Sequence, residues 1–135
     1  MSKPKSLKPF VPAYVFMSLI LIASAVPTHS LHRLQRKSLI LKILLSDIIF
    51  HFAAFAVLTI LLSIGYVRAG EPKAWWIKAA AASFFVGCLV EVIQIFLPYR
   101  SFSLRDLAVD GIAIFVILVI FTTAKLPGRT AGAKG

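Results

Sequence analysis

Acidic residues are scarce in this sequence. Among 135 residues only five are Asp or Glu, against fifteen Lys or Arg, and the formal net charge is +10. An excess of that sign raises nucleic acid as a partner. The basic residues, however, fall in short clusters between apolar runs and form no stripe with aromatic residues, which excludes nucleic acid and leaves lipid head groups as what they meet. Cysteine is rarer still. Cys88 stands alone inside an apolar run, so no internal disulfide forms and the redox compartment is not readable. The chain also lacks a nucleophile elbow, a glycine-rich phosphate loop and any zinc-type spacing of Cys and His, so neither a metal nor a cofactor is expected. There is no internal repeat, and the length suits one domain.

What is abundant is apolar surface. The chain is 59% hydrophobic and 15% charged, with a mean hydropathy of +0.90. A soluble fold of this size leaves too much of its chain exposed to hide that fraction, so lipid is the expected solvent. Four apolar stretches stand out, at residues 10–26, 48–66, 74–97 and 107–124. Each has roughly the 17–25 residues that a helix needs to cross about 30 Å of hydrocarbon. Helices are required, because an open sheet would leave backbone groups unpaired in lipid. Pro27, Gly70, Pro72 and Pro98 punctuate the stretches, while Trp75, Trp76 and Tyr99 fall near their ends, where amphipathic rings favour the interface. The expected architecture is an all-α, integral membrane four-helix bundle, with a basic N-terminus over residues 1–9 and a flexible tail over 125–135.

Two features leave alternatives open. Lys3, Lys5 and Lys8 precede the first apolar run and Ala23-Ser24-Ala25 resembles a signal-peptidase site, so that run reads either as a retained span or as a cleaved signal. The connection from His29 to Ser46 mixes Leu31, Leu34, Leu39, Leu41 and Leu45 with basic residues, and reads either as an interfacial helix or as a solvated loop. With four spans, the N-terminus, the middle loop and the C-terminus share a side that holds nine basic residues, against six on the other. That difference places both termini in the cytoplasm.

The five acidic residues are not scattered. Asp47 opens the second apolar stretch, Glu91 lies near the end of the third, and Asp106 and Asp110 open the fourth; only Glu71 lies elsewhere. An antiparallel bundle brings those three ends to one face. Asp47 and His51 are four residues apart, as are Asp106 and Asp110, and Glu91 and Gln94 are three apart. Such spacings share a helix face, so each of three helices turns a polar pair towards the bundle interior. A carboxylate at the depth of Glu91 has to be neutral, paired or beside a wet cavity, and Arg100 and Arg105 in the intervening loop are the expected partners. Plainer readings exist for single residues. Asp47 and Asp106 suit helix N-caps, Arg100 and Arg105 can snorkel to head groups, and His51 can be a satisfied interior histidine. Glu91 and Asp110 lie inside apolar runs and resist such readings.

These residues carry a resemblance. Asp47-x-x-x-His51-Phe52-x-x-Phe55 resembles the second-helix signature of the VanZ-like family, usually Asp-Lys-x-x-His-x-x-x-Tyr. Glu91-x-x-Gln94-x-x-x-Pro98-x-Arg100, followed by Ser103-x-x-Asp106-x-x-x-Asp110-Gly111, resembles the family's second block. The chain departs from it at Ile48, where Lys is common, at Phe55 in place of Tyr, and at Asp110, where Asn is usual. The resemblance implies four spans and a bacterial cytoplasmic membrane. The family is named for a protein associated with low-level resistance to the glycopeptide teicoplanin, and other members accompany extracellular polysaccharide gene sets; no reaction is implied.

Three functions follow as expectations. The first is an extracytoplasmic polar pocket of Asp47, His51, Glu91, Gln94, Arg100, Arg105, Asp106 and Asp110, taking an anionic lipid, a lipid-linked glycan precursor or an antibiotic head group. The second is a membrane-embedded hydrolase or transferase, with His51, Glu91 and Asp110 as catalytic candidates, His51 as base oriented by Asp47 or Asp110, Glu91 as acid, and a divalent cation on the carboxylates as a variant. The third is a transporter or proton relay, which four spans could serve only as an oligomer.

Overall fold

The computed structural model describes residues 7–27, 39–40, 46–70 and 74–124. A short 3-10 turn, Lys8–Phe10, leads into α1 (Val11–Ser24); α2 (Asp47–Arg68), α3 (Trp75–Ile95) and α4 (Leu104–Thr123) follow. No strand occurs among the described residues. The acidic residue Glu71, most of the basic N-terminus, the connection at residues 28–38 and 41–45, and the tail over 125–135 lie outside them.

Local chemistry sets the helix ends. Proline sits in the first turn of α1, where its missing N–H is no loss. Gly70 takes a left-handed φ of 74° just past α2, while the Ala69 N–H closes on the Gly65 carbonyl at 2.9 Å. Ser103 caps α4, its hydroxyl accepting from the Asp106 N–H at 3.2 Å. Asp106 is therefore the third residue of that helix and not its cap, and Asp47 is the first residue of α2, with Ser46 at the cap position.

α2 is the central helix. It packs against α1, α3 and α4, whereas α1 does not reach α4. Phe55, Leu58 and Leu62 of α2, Val86 and Val90 of α3, and Ala113 and Ile114 of α4 form the core, with Ala13 and Ile20 of α1. Small polar residues let α2 and α3 come close: the Thr59 and Ser83 hydroxyls lie 3.0 Å apart and both residues are fully buried. Trp75, expected at an interface, turns inward at 3% exposure and meets Phe121 edge-on, with ring centroids 6.2 Å apart; Trp76 is the exposed one.

The surface is inverted relative to a protein in water. Ser, Thr, His, Glu, Gln and Asp side chains occupy the interior, while Phe85 (69% exposed), Phe96 (80%) and Phe115 (68%) stand outside with Ile112, Val119 and Ile120. Water would penalise that arrangement, and hydrocarbon does not. Of the four helices, two, α2 and α3, are long and apolar enough by themselves to cross a membrane. The apolar segment Lys8–Ser24 is shorter, and α4 carries Arg105, Asp106 and Asp110 in its first two turns.

Candidate functional site

The end of the bundle formed by the start of α2, the end of α3 and the start of α4 holds the polar residues that the helical spacing singled out. His51 and Asp110, 59 residues apart in sequence, face each other across α2 and α4, with Nδ1 to Oδ1 at 3.0 Å. Asp110 is fully buried, so the pair sits where electrostatic attraction is little screened. Its other oxygen, Oδ2, has no hydrogen-bond partner. Space for it comes from Gly87 on α3, where a Cβ would lie 3.1 Å from that oxygen. His51 also stacks beside Phe55, the rings 12° from parallel.

Glu91 is likewise fully buried. Its end of α3 stops at Ile95, four residues on, so the carboxylate lies about 6 Å below the helix end. The expected guanidinium partner is not the one found. Glu91 Oε2 accepts the Ser103 backbone N–H at 2.7 Å, which ties α3 to the cap of α4. Oε1 has no partner. Arg100 turns the other way: Nη1 approaches Asp47 Oδ1 at 3.7 Å and Nη2 donates to the Val26 carbonyl at 3.3 Å. The Asp47 side chain is 59% exposed, so that ion pair is screened and weak. The adjacent Tyr99 hydroxyl donates to the Ala25 carbonyl at 2.8 Å. Two loop side chains thus bond the carbonyls that follow α1. Asp47 and His51, though on one helix, do not pair; of the two carboxylates expected beside His51, Asp110 is the one that meets it.

Two cavities meet at this end. A bowl of about 830 Å³ is lined by Tyr99, Arg100, Ser101, Ser103, Arg105 and Asp106, among others. Asp47, Gln94 and Arg100 are shared with a smaller, partly open cavity of about 140 Å³, whose walls include Ile20 and Ala23 of α1, Phe50 and Ala54 of α2, and Val90 of α3; His51 lines it too. Those α1 and α2 residues also line a shallow apolar groove that continues along both helices to Phe16 and Val57. Gln94, 3% exposed, belongs to the wall between bowl and cavity. Arg105 is exposed on the rim.

Among the described residues one group of three could hold a metal ion. A ring nitrogen of His51, a carboxylate oxygen of Glu91 and one of Asp106 lie within 4.8 Å of one another. Sequence spacing gave no sign of Ser103 as a backbone donor or of Gly87 as the space for Asp110; the only trace was a glycine inside an apolar run.

A family model described as VanZ/LLP1 matches residues 7–125. No curated protein and no solved structure matches the chain. The family match and the apolar α2 and α3 together point to a membrane protein.

Proposed function

Because this chain belongs to the VanZ/LLP1 family, whose name is tied to teicoplanin resistance, we propose that it is a multi-pass protein of the bacterial cytoplasmic membrane that binds a phosphate-bearing lipid of the cell envelope. α1 and α4 span with α2 and α3, both termini are cytoplasmic, and the bowl opens on the outer face.

The small cavity that adjoins the bowl at one side and the apolar groove at the other carries this reading. A ligand that fits all three has an anionic head and a hydrocarbon chain. Arg100 lies where bowl and cavity join, and its protein contacts leave it able to turn to a phosphate: one hydrogen bond at 3.3 Å and one loose ion pair at 3.7 Å. A guanidinium presents five donors in a fork that matches phosphate oxygens. Arg105 on the rim supplies a second charge, and the Ser101 and Ser103 hydroxyls supply polar contacts for a glycan. The chain of the lipid enters between α1 and α2, where Ile20, Ala23, Phe50 and Ala54 line both the cavity and the groove. Sequestering such a lipid, or the wall precursor built on it, would alter glycopeptide sensitivity.

The test is ligand protection of the purified protein in detergent. A polyprenyl phosphate at a hundred times its Kd should add about 2.7 kcal/mol of stability. Arg100→Gln should weaken the ligand roughly ten- to a hundredfold, the share of a charged hydrogen bond of about 1.5–3 kcal/mol. Equal protection by the uncharged polyprenol would overturn the reading.

The His51–Asp110 contact favours a second reading, in which the same ligand is hydrolysed: His51 takes a proton from water, the water oxygen bonds to phosphorus as the ester P–O bond breaks, and the polyprenol leaves with a proton returned by the imidazolium. A carboxylate at 3.0 Å from Nδ1 holds the imidazole in the orientation of a general base, and His51 lines the cavity. Release of phosphate from the bound lipid by wild type, abolished in His51→Gln with ligand protection retained, would select it.

A further inference from the structure

We propose that His51, Glu91 and Asp106 form a binding site for a divalent transition-metal ion of the zinc or manganese class, with Asp110 holding His51 in the ligating tautomer. The three donors come from three helices and already lie within 4.8 Å of one another. They do not use Arg100, so the site does not rest on the lipid reading.

The chemistry of the donors selects the ion. With Asp110 Oδ1 3.0 Å from His51 Nδ1, the proton sits on Nδ1 in the proposed site and the Nε2 lone pair is the one left to ligate; carboxylates orient metal-bound histidines in this way. Glu91 is fully buried and its Oε1 has no partner, although Oε2 is held by Ser103 at 2.7 Å. A buried carboxylate oxygen left without a donor is uncommon, and a cation satisfies it. Asp106 is half-buried on the wall of the bowl, so its carboxylate can swing to complete the set. One imidazole and two carboxylates are too few oxygens for calcium and include no thiolate for copper(I). They match the three protein ligands of an open zinc site or part of a manganese one. Zinc ligands sit about 2.0–2.2 Å from the ion and hence about 3.4 Å from each other, so from separations of at most 4.8 Å the group draws in by no more than about 1.4 Å on binding. Of the three, Asp106 lines the bowl, so water or an anionic oxygen would reach the ion from that side.

The experiment uses the full-length protein in detergent, stripped with chelator and then given Zn²⁺ or Mn²⁺ alone. Metal content after size exclusion and affinity by competition with a chelating dye are read for wild type, Glu91→Gln, Asp106→Asn and the remote Thr122→Ala. One ion per chain is expected in wild type and Thr122→Ala, with at least ~10-fold weaker binding in Glu91→Gln and Asp106→Asn. Asp106 is half-buried on the wall of the bowl, whereas Glu91 is fully buried, so Asp106→Asn keeps the test decisive even where Glu91→Gln fails to fold. Wild type holding no more of either ion than Asp106→Asn would overturn the proposal, and so would undiminished affinity in Asp106→Asn.

Discussion

Replacing Gly87 by alanine sets two effects against each other. In an unobstructed helix interior the change stabilises by about 1 kcal/mol, because glycine has more backbone freedom to lose. At Gly87 the new Cβ would lie 3.1 Å from Asp110 Oδ2, while Phe55 Cε1 at 3.5 Å and Leu107 Cδ1 at 3.6 Å are in ordinary contact. The carboxylate is the group that has to yield. It is fully buried and its other oxygen is held by His51 at 3.0 Å, so a shift of a few tenths of an ångström loosens a charge-assisted hydrogen bond of about 1.5–3 kcal/mol. The opposing effect is the larger, and Gly87→Ala should destabilise by about 1 kcal/mol. Gly111 on α4 is the internal control. A Cβ there meets nothing within 4 Å, so Gly111→Ala should stabilise by about 1 kcal/mol. Thermal or denaturant unfolding in one detergent measures both. Repeating Gly87→Ala in an Asp110→Ala background removes the obstructing oxygen, and there the sign should reverse. Stabilisation by Gly87→Ala in the wild-type background would refute the placement of Asp110 against α3.

Other outcomes follow from the same contacts. Glu91→Ala removes the acceptor of the Ser103 N–H and should destabilise by about 1–3 kcal/mol, read as loss of amide exchange protection at Ser103. Ser103→Ala leaves that backbone bond intact and removes only the cap, for about 1 kcal/mol in the same unfolding assay. In a Cys88→Ala background, Ser103→Cys should be labelled in intact cells by an impermeant thiol reagent, while Ser63→Cys, fully buried in α2, should not. Labelling of Ser103→Cys only after permeabilisation would turn the bowl to the cytoplasm.

The sequence announces the helices and the layer in which their polar residues meet, because both follow from spacing along single helices. Apolar runs of spanning length locate α1 to α4 to within a few residues, and an antiparallel arrangement brings Asp47, Glu91, Asp106 and Asp110 to one end. What spacing does not carry is which residue of one helix meets which residue of another. His51 has Asp47 four residues before it, yet its partner is Asp110, because the contact is set by how α2 and α4 pack. Glu91 has two arginines within reach along the chain, yet a backbone N–H takes its Oε2; the path of a short loop decides that, and no side-chain pattern encodes it. Trp75 turns into the core for a similar reason, since Phe121 lies across from it on α4. Gly87 was legible only as a glycine, its purpose visible once Asp110 is placed.

The central claim is that head and chain of one lipid occupy the bowl and the α1–α2 groove together. It is tested most directly with a polyprenyl phosphate carrying a photoactivatable diazirine in its chain, crosslinked to the protein in membranes and mapped by peptide mass spectrometry. Labelling of Ala23, Phe50 or Ala54 that disappears in Arg100→Gln is the predicted result. Labelling spread evenly over outward residues such as Phe85 and Phe115, unchanged in Arg100→Gln, would contradict it.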